Sequence, residues 1–309
     1  MESFQITFIN VVIMLLYILP GYLLCKMKKA KADHLSSISA VLVYGCTPCL
    51  IVSSFLALDF SWQTLAEMGL FFGITFVLQL VFMGILWLVL RRKFDDLRYR
   101  VFTVASAMGN VGFFGLPIVR ALLPGNPEVM CYSAMYIASM NLIMYTVGVY
   151  FLTRDKKFMT PKAAIFNPMM LGMAIGLPLL IFGLGIYIPA PFTAGIKLVG
   201  DMSAPLCMII LGIRLATVKF RKLFERPFVY LTCIGKMLIF PIFCYAAVFF
   251  LPLDFSFKAS ILILSGTPCA SVVFNLSEMH GADPELSANC VLLSTLICFI
   301  TLPALTFLL

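Results

Sequence analysis

Residues 109–117 read GNVGFFGLP, and they interrupt a segment that is otherwise apolar enough to lie in a membrane. Glycine loosens a helical backbone and proline removes an amide donor, so this stretch predicts a break in a helix. A second stretch, SGTPCASVVFN at 265–275, interrupts another apolar segment in the same manner. The chain must therefore adopt a fold that tolerates two broken helices at membrane depth.

The composition around the two breaks is that of a membrane protein. Hydrophobic residues make up 62% of the 309 positions and charged residues 12%, whereas soluble domains are roughly half apolar and a quarter charged. These values exclude a cytosolic enzyme and a disordered protein. They also exclude a nucleic-acid binder with a basic folded face, although the net charge is +8.

The length accommodates about ten helical spans, at about 20 apolar residues each. Apolar runs lie at 4–24, 36–57, 63–90, 102–122, 130–152, 165–185, 192–217, 227–251, 258–278 and 286–308. They lack the period-two alternation of a β-barrel, and backbone groups cannot stay unpaired in lipid, so each run is predicted to be helical. The predicted fold class is an all-α polytopic membrane protein with ten transmembrane helices.

The basic residues are distributed unevenly over the connections. Most of the 22 lysines and arginines follow spans one, three, five and seven. The positive-inside rule places these four connections in the cytoplasm and both termini on the extracytoplasmic side. The predicted location is the plasma membrane, with a bacterial inner membrane favoured.

The two halves of the chain repeat each other at one offset. The positions Asn10, Pro48, Gly109 and Pro127 match Asn167, Pro205, Gly266 and Pro284 with the same difference in number. Residues 1–157 and 158–309 are thus predicted to be two five-helix repeats. An odd number of spans inverts the second repeat in the membrane, which is the design of many secondary transporters.

The breaks lie in spans four and nine, which are equivalent in the two repeats. The amino ends of half-helices carry partial positive charge and free amide groups, which suit a carboxylate. The alternative is an ordinary proline kink with small residues for helix packing. Equivalent positions favour a functional crossing of broken helices 4 and 9.

Three segments resemble the auxin efflux carrier family, whose bacterial members include carriers of malate and malonate. They are Asn110 to Pro117, Thr267 to Asn275, and residues 280–305 with their Asp-Pro and Leu-Pro pairs. The resemblance implies a transport domain of spans 3–5 and 8–10 and a scaffold of spans 1, 2, 6 and 7 that forms a homodimer. It also implies an elevator-type movement. The short connection at 153–166 is typical of a compact, prokaryote-type member and gives no reason to assign auxin.

The candidate substrate-binding residues cluster at the two breaks. They are Asn110, Gly109, Gly112, Pro117, Thr267, Pro268, Asn275 and Lys236. The two asparagine amides can donate to a carboxylate, while the glycines and prolines shape the crossing. The alternative for the polar residues is interhelical hydrogen bonding.

Charged residues inside the spans allow more than one interpretation. Lys236 could attract an organic anion, replace a coupling cation as a fixed charge, or snorkel to the interface. Arg120 and Arg214 are predicted mainly as interface anchors, although Arg120 could meet a second carboxylate. Asp201 could pair with Lys197 four residues earlier or act as an ion-coupling carboxylate.

The sequence predicts a secondary carrier of small organic anions, with elevator-type alternating access implied by the resemblance. No ATP-binding GxxxxGK[ST] motif is present, so transport must use a gradient, and no GxSxG or HExxH motif indicates an enzyme. The alternative is a non-transporting ligand or lipid sensor on the same fold. The expected partners are the anion, membrane lipids and a second copy, with no nucleic acid, metal or cofactor. The anion, the coupling ion and the direction stay open.

Overall fold

The computed structural model describes residues 2–217 and 223–309. The helices in chain order are α1 Glu2–Lys26, α2 Leu35–Leu56, α3 Trp62–Lys93, α4 Leu97–Ala105, α5 Val111–Leu122, α6 Glu128–Thr153, α7 Lys156–Ile181, α8 Ala190–Thr217, α9 Pro227–Phe249, α10 Phe255–Ser265, α11 Ser271–His280 and α12 Pro284–Leu308. Within these residues the only extended pairing is one isolated antiparallel bridge between Gly109 and Cys269.

Eight of these helices are long and apolar enough to cross a membrane: α1, α2, α3, α6, α7, α8, α9 and α12. The two remaining predicted spans, four and nine, each consist of two short helices. Span four divides into α4 and α5, and span nine into α10 and α11. A multi-pass membrane protein with two interrupted segments follows from this arrangement.

The first interruption lies earlier than the sequence suggested. The helix resumes at Val111, so Gly112, Gly115 and Pro117 lie inside α5. The first turn of α5 is π-helical, from Val111 to Gly115, and ordinary α-helical geometry begins at Leu116. Pro117 has no amide to donate within α5, and it lies just after the π-helical turn, where the helix already departs from α-helical geometry.

Polar side chains determine where several helices begin. The Ser61 hydroxyl accepts a hydrogen bond from the Thr64 amide at 3.0 Å at the start of α3. Asp96 accepts from the Arg98 amide at 2.9 Å before α4, and Asp283 accepts from the Leu286 amide at 3.1 Å at the start of α12. Each side chain satisfies one of the first-turn amides that have no intrahelical acceptor.

Helices α1, α2, α7 and α8 pack together through glycines. A Cβ atom at Gly21 in α1 would lie 2.0 Å from the Ile209 carbonyl oxygen of α8, and one at Gly212 would lie 2.1 Å from the Ile18 carbonyl oxygen. At Gly176 in α7, a Cβ would lie 2.6 Å from the Phe55 ring of α2. Such backbone approach is how helices associate closely in lipid. Among the other long helices, α3 packs on α6 and α9 packs on α10 and α12, and α12 also packs on α1.

The outer surface of the helices is apolar. Large side chains such as Val89 in α3, Leu198 in α8 and Ile300 in α12 are 73%, 69% and 58% exposed. A soluble protein rarely exposes contiguous apolar surface of this kind, whereas lipid solvates it. The surface thus agrees with the composition in indicating a membrane protein.

Candidate substrate site

The two interruptions meet and pair through their backbones. The Asn110 amide donates to the Pro268 carbonyl oxygen at 2.7 Å, and the Ala270 amide donates to the Met108 carbonyl oxygen at 3.0 Å. The Cys269 amide donates to the Ser294 hydroxyl of α12 at 3.0 Å. Backbone groups exposed by the breaks thus find partners inside the protein, as they must at membrane depth.

Glycine is required where the two breaks approach each other. A Cβ atom at Gly109 would lie 2.4 Å from the Thr267 hydroxyl oxygen and 3.1 Å from the Lys236 ammonium nitrogen. The Thr267 hydroxyl donates to the Leu264 carbonyl oxygen at 2.8 Å, which holds it in position. At Gly112 the nearest atom would be the Ile137 side chain at 3.2 Å, a milder contact.

A cavity of about 500 Å³ lies beside the paired breaks. Its wall includes Asn110 and Phe113 at the start of α5, and Ser271 and Asn275 in the first turns of α11. The first amides of a helix have no intrahelical acceptor, and the amino end carries partial positive charge. With two such ends at one cavity, the site suits a carboxylate or another small anion.

One arginine lines this cavity. The Arg214 guanidinium lies 4.6 Å from the centroid of the Phe274 ring. Across residues 2–217 and 223–309, no carboxylate lies within 4 Å of it as an ion-pair partner, although Glu278 lines the same cavity. A guanidinium with this environment can bind a carboxylate through two donors.

Further polar groups come from neighbouring helices. Asn141 of α6 lines the cavity and donates to the Met169 sulfur at 3.6 Å. Asn167 accepts from the Met170 amide at 3.0 Å and donates to the Ala164 carbonyl oxygen at 2.8 Å, so its side chain caps the α-helical stretch of α7 that begins at Pro168. Asn141 is therefore the better candidate for contact with a ligand.

A smaller cavity of about 390 Å³ lies further along α2 and α8. Its wall includes Gly112, Pro117, Arg120 and Asp201. Arg120 and Asp201 form an ion pair at 3.5 Å between α5 and α8. Asp201 therefore pairs with Arg120 and not with the predicted partner Lys197. It faces α5 across the cavity, and the sequence does not reveal this contact.

Lys236 lies beside the paired breaks rather than in either cavity wall. Its side chain is fully buried, and its ammonium donates a hydrogen bond to the Ser265 carbonyl oxygen. The Lys236 side chain therefore does not snorkel to the membrane surface.

The sequence-predicted residues thus fall into three groups. Asn110 and Asn275 line the larger cavity, while Gly112 and Pro117 line the smaller one. The other four belong to or contact the paired breaks: Gly109, Thr267, Pro268 and Lys236. Sequence reasoning missed Asn141 and treated Arg214 as an interface anchor. The available signal for both was a polar residue inside an apolar span.

We expect the Arg120–Asp201 pair to contribute little to stability. Its side chains are 41% and 48% exposed, and exposed ion pairs are typically worth under about 1 kcal/mol because solvent and salt screen them. Asp201→Asn should therefore change the thermal unfolding midpoint by no more than the control Lys197→Gln. A large loss of stability would show that the pair is not screened.

Loss of a cation dependence of uptake in Asp201→Asn would instead support the ion-coupling role predicted for this carboxylate.

Comparison with known proteins agrees with this geometry on the class of protein, a membrane transporter. The profile of the family described as "Membrane transport protein" matches residues 6–160 and 152–306. The chain therefore belongs to this family, the auxin efflux carrier family. A protein of Methanothermobacter thermautotrophicus (strain Delta H), described as an uncharacterized transporter, is 24% identical over 300 residues, which cover 95% of each chain.

Proposed function

We propose that this protein is a secondary carrier of small organic anions such as carboxylates, with its substrate site in the larger cavity. The observation that carries the proposal is that the first turns of α5 and α11 line one cavity directly beside their paired breaks. Substrate sites of secondary transporters commonly lie where discontinuous helices present their amino ends to an anionic group.

Side chains complete the anion site in this proposal. Asn110 and Asn275 supply amide donors beside the two half-helix ends, and Arg214 supplies the positive charge. Asn110 and Cys207 of α8 line the same cavity, so the candidate site lies between two groups of helices. A carboxylate bound between them would accept hydrogen bonds from both groups.

The packing supports an elevator-type movement. The glycine-packed helices α1, α2, α7 and α8 correspond to spans one, two, six and seven and would form the scaffold. The remaining helices, with both breaks, would move as the transport domain. Two cavities lie one after the other along α2 and α8, so a substrate held at the breaks could occupy two levels of the scaffold. The proposed arrangement is ten spans in two inverted five-helix repeats whose helices 4 and 9 cross.

The proposed setting is the plasma membrane, with a bacterial inner membrane favoured. Both termini would be extracytoplasmic because most basic residues lie in the connections of the opposite side. The resemblance to the family adds a homodimer surrounded by lipid. Accessibility of single cysteines introduced in a cysteine-free background tests the orientation, and the mass of the detergent-solubilised protein tests the dimer.

The test of function is uptake into proteoliposomes. Labelled malate, malonate and a monocarboxylate are offered under proton, sodium or potential gradients to wild type, Asn110→Ala and Asn10→Ala. Asn10 is the matched control, because its amide donates to the Ile6 carbonyl oxygen at 2.8 Å within α1, away from both cavities. We expect saturable uptake by wild type and Asn10→Ala, and a loss of at least about 10-fold for Asn110→Ala.

Two results would contradict the proposal. Normal uptake by a folded Asn110→Ala would remove the larger cavity as the substrate site. Absence of flux under every gradient, together with thermal stabilisation by one of the anions, would favour a non-transporting ligand sensor.

A further inference from the structure

The Lys236 ammonium lies at the carboxyl end of a half-helix. Its hydrogen-bond acceptor, the Ser265 carbonyl oxygen, belongs to the last residue of α10. The ammonium nitrogen also lies 5.1 Å from the centroid of the Phe240 ring, and a Cβ atom at Gly109 would lie 3.1 Å from it. A complete positive charge thus lies directly beside the paired breaks.

This charge has no acidic partner. In the part of the chain that the structure describes, no carboxylate forms an ion pair with Lys236 within 4 Å. A buried charge is costly unless it is compensated. The available compensation is the partial negative charge at the carboxyl end of α10, where the Ser265 carbonyl oxygen accepts the hydrogen bond from Lys236.

The carboxyl ends of broken helices have a known use in secondary transporters. Their exposed carbonyl oxygens, with those of unwound backbone, coordinate the coupling sodium ion or proton. In this chain the corresponding oxygen at the end of α10 already accepts a hydrogen bond from Lys236. We propose that the Lys236 ammonium is a built-in cation that occupies the position of a coupling metal ion, so that the carrier works without sodium. This inference rests on the proposed transport function.

The first repeat has a neutral residue at the equivalent position. The repeat offset pairs Gln79 with Lys236, and it also pairs Thr75 with Thr232. The two threonine hydroxyls donate alike to the carbonyl oxygen four residues earlier, at 2.8 and 2.7 Å. Gln79 donates to the Thr75 carbonyl oxygen and the Ser139 hydroxyl, both at 3.0 Å. In the first repeat, α3 therefore has a neutral amide at the position equivalent to Lys236. The charge is a feature of the second repeat.

The experiment compares wild type with Lys236→Gln, the substitution suggested by the first repeat. The matched control is Lys258→Gln, because the Lys258 ammonium also donates to a helix-end carbonyl, that of Phe249 at 2.9 Å, but at an exposed position. Thermal unfolding midpoints and anion uptake are measured in sodium chloride and in choline chloride at equal ionic strength.

For wild type and Lys258→Gln we expect the same midpoint and the same uptake in both salts. For Lys236→Gln we expect uptake in choline to fall at least about 10-fold, because the buried carbonyls lose a charged donor. We also expect its midpoint to be higher in sodium than in choline, because a cation can now bind the folded protein.

A wild-type midpoint or uptake that rises with sodium would overturn the inference. So would a Lys236→Gln protein whose uptake and midpoint match those of wild type in both salts.

A second variant covers the case in which Lys236→Gln does not fold. Lys236→Ala is then purified in ethylammonium chloride and in choline chloride. Recovery of folded protein in ethylammonium alone supports the inference, while equal recovery or recovery in neither salt overturns it. The midpoints need no substrate, so they test Lys236 even if the protein carries no anion. Failure of the transport proposal is seen separately, as absence of uptake by wild type.

Discussion

Gly109→Ala is expected to abolish uptake and to lower the thermal unfolding midpoint. The new methyl group would lie 2.4 Å from the Thr267 hydroxyl oxygen, and one of the two breaks would have to move. Overpacking of this kind typically costs about 1–3 kcal/mol. This movement would disrupt the backbone hydrogen bonds of 2.7 and 3.0 Å between the two breaks. Anion uptake in proteoliposomes and circular dichroism melting in detergent check the two effects.

The control is Gly69→Ala, in the exposed interior of α3. A Cβ atom there meets nothing within 4 Å, so the substitution should leave uptake intact and stabilise the helix slightly, by about 0.5–1 kcal/mol. The double variant Gly109→Ala with Thr267→Ala removes the hydroxyl that the methyl group meets. Its thermal unfolding midpoint should lie between those of Gly109→Ala and wild type. If Gly109→Ala transports normally, the close approach of the two breaks is not needed for function.

Arg214→Gln should raise the KM for a dicarboxylate such as malate by roughly 10- to 150-fold. Hydrogen bonds to charged groups contribute roughly 1.5–3 kcal/mol, and this range converts to that loss of affinity. Arg214 lines the larger cavity, and in the described chain no carboxylate lies within 4 Å of its guanidinium. Initial rates of labelled malate uptake over a range of concentrations measure the effect.

Arg98→Gln is the matched control for this substitution. The Arg98 guanidinium also lies over a phenylalanine, 5.2 Å from the centroid of the Phe228 ring, but it lines neither cavity. Its KM should equal that of wild type. An unchanged KM for Arg214→Gln, in a protein that still transports, would show that the cavity charge does not bind the substrate.

Much of the architecture was predictable because its causes act locally. An apolar run long enough for a bilayer must be helical, since lipid offers no partner for backbone groups. Glycine and proline within such runs indicated the two interruptions. Asn110 and Asn275 were predicted as substrate-binding residues from their positions beside them, and both line the larger cavity. The exact limits were less accurate. Pro117 lies inside α5, just after a π-helical turn, and not in the break itself.

The contacts between helices had to come from the tertiary structure. Asp201 faces Arg120 rather than Lys197, and Arg214 lines a cavity rather than anchoring at the interface. The Lys236 ammonium lies on the end of α10, 29 positions away along the chain. Periodicity, breaks and charge distribution are properties of single segments, so the amino-acid sequence alone determined the class, the helical spans and the approximate location of the breaks. The partner of each polar side chain depends on which faces of distant helices meet, and only the packed structure decided it.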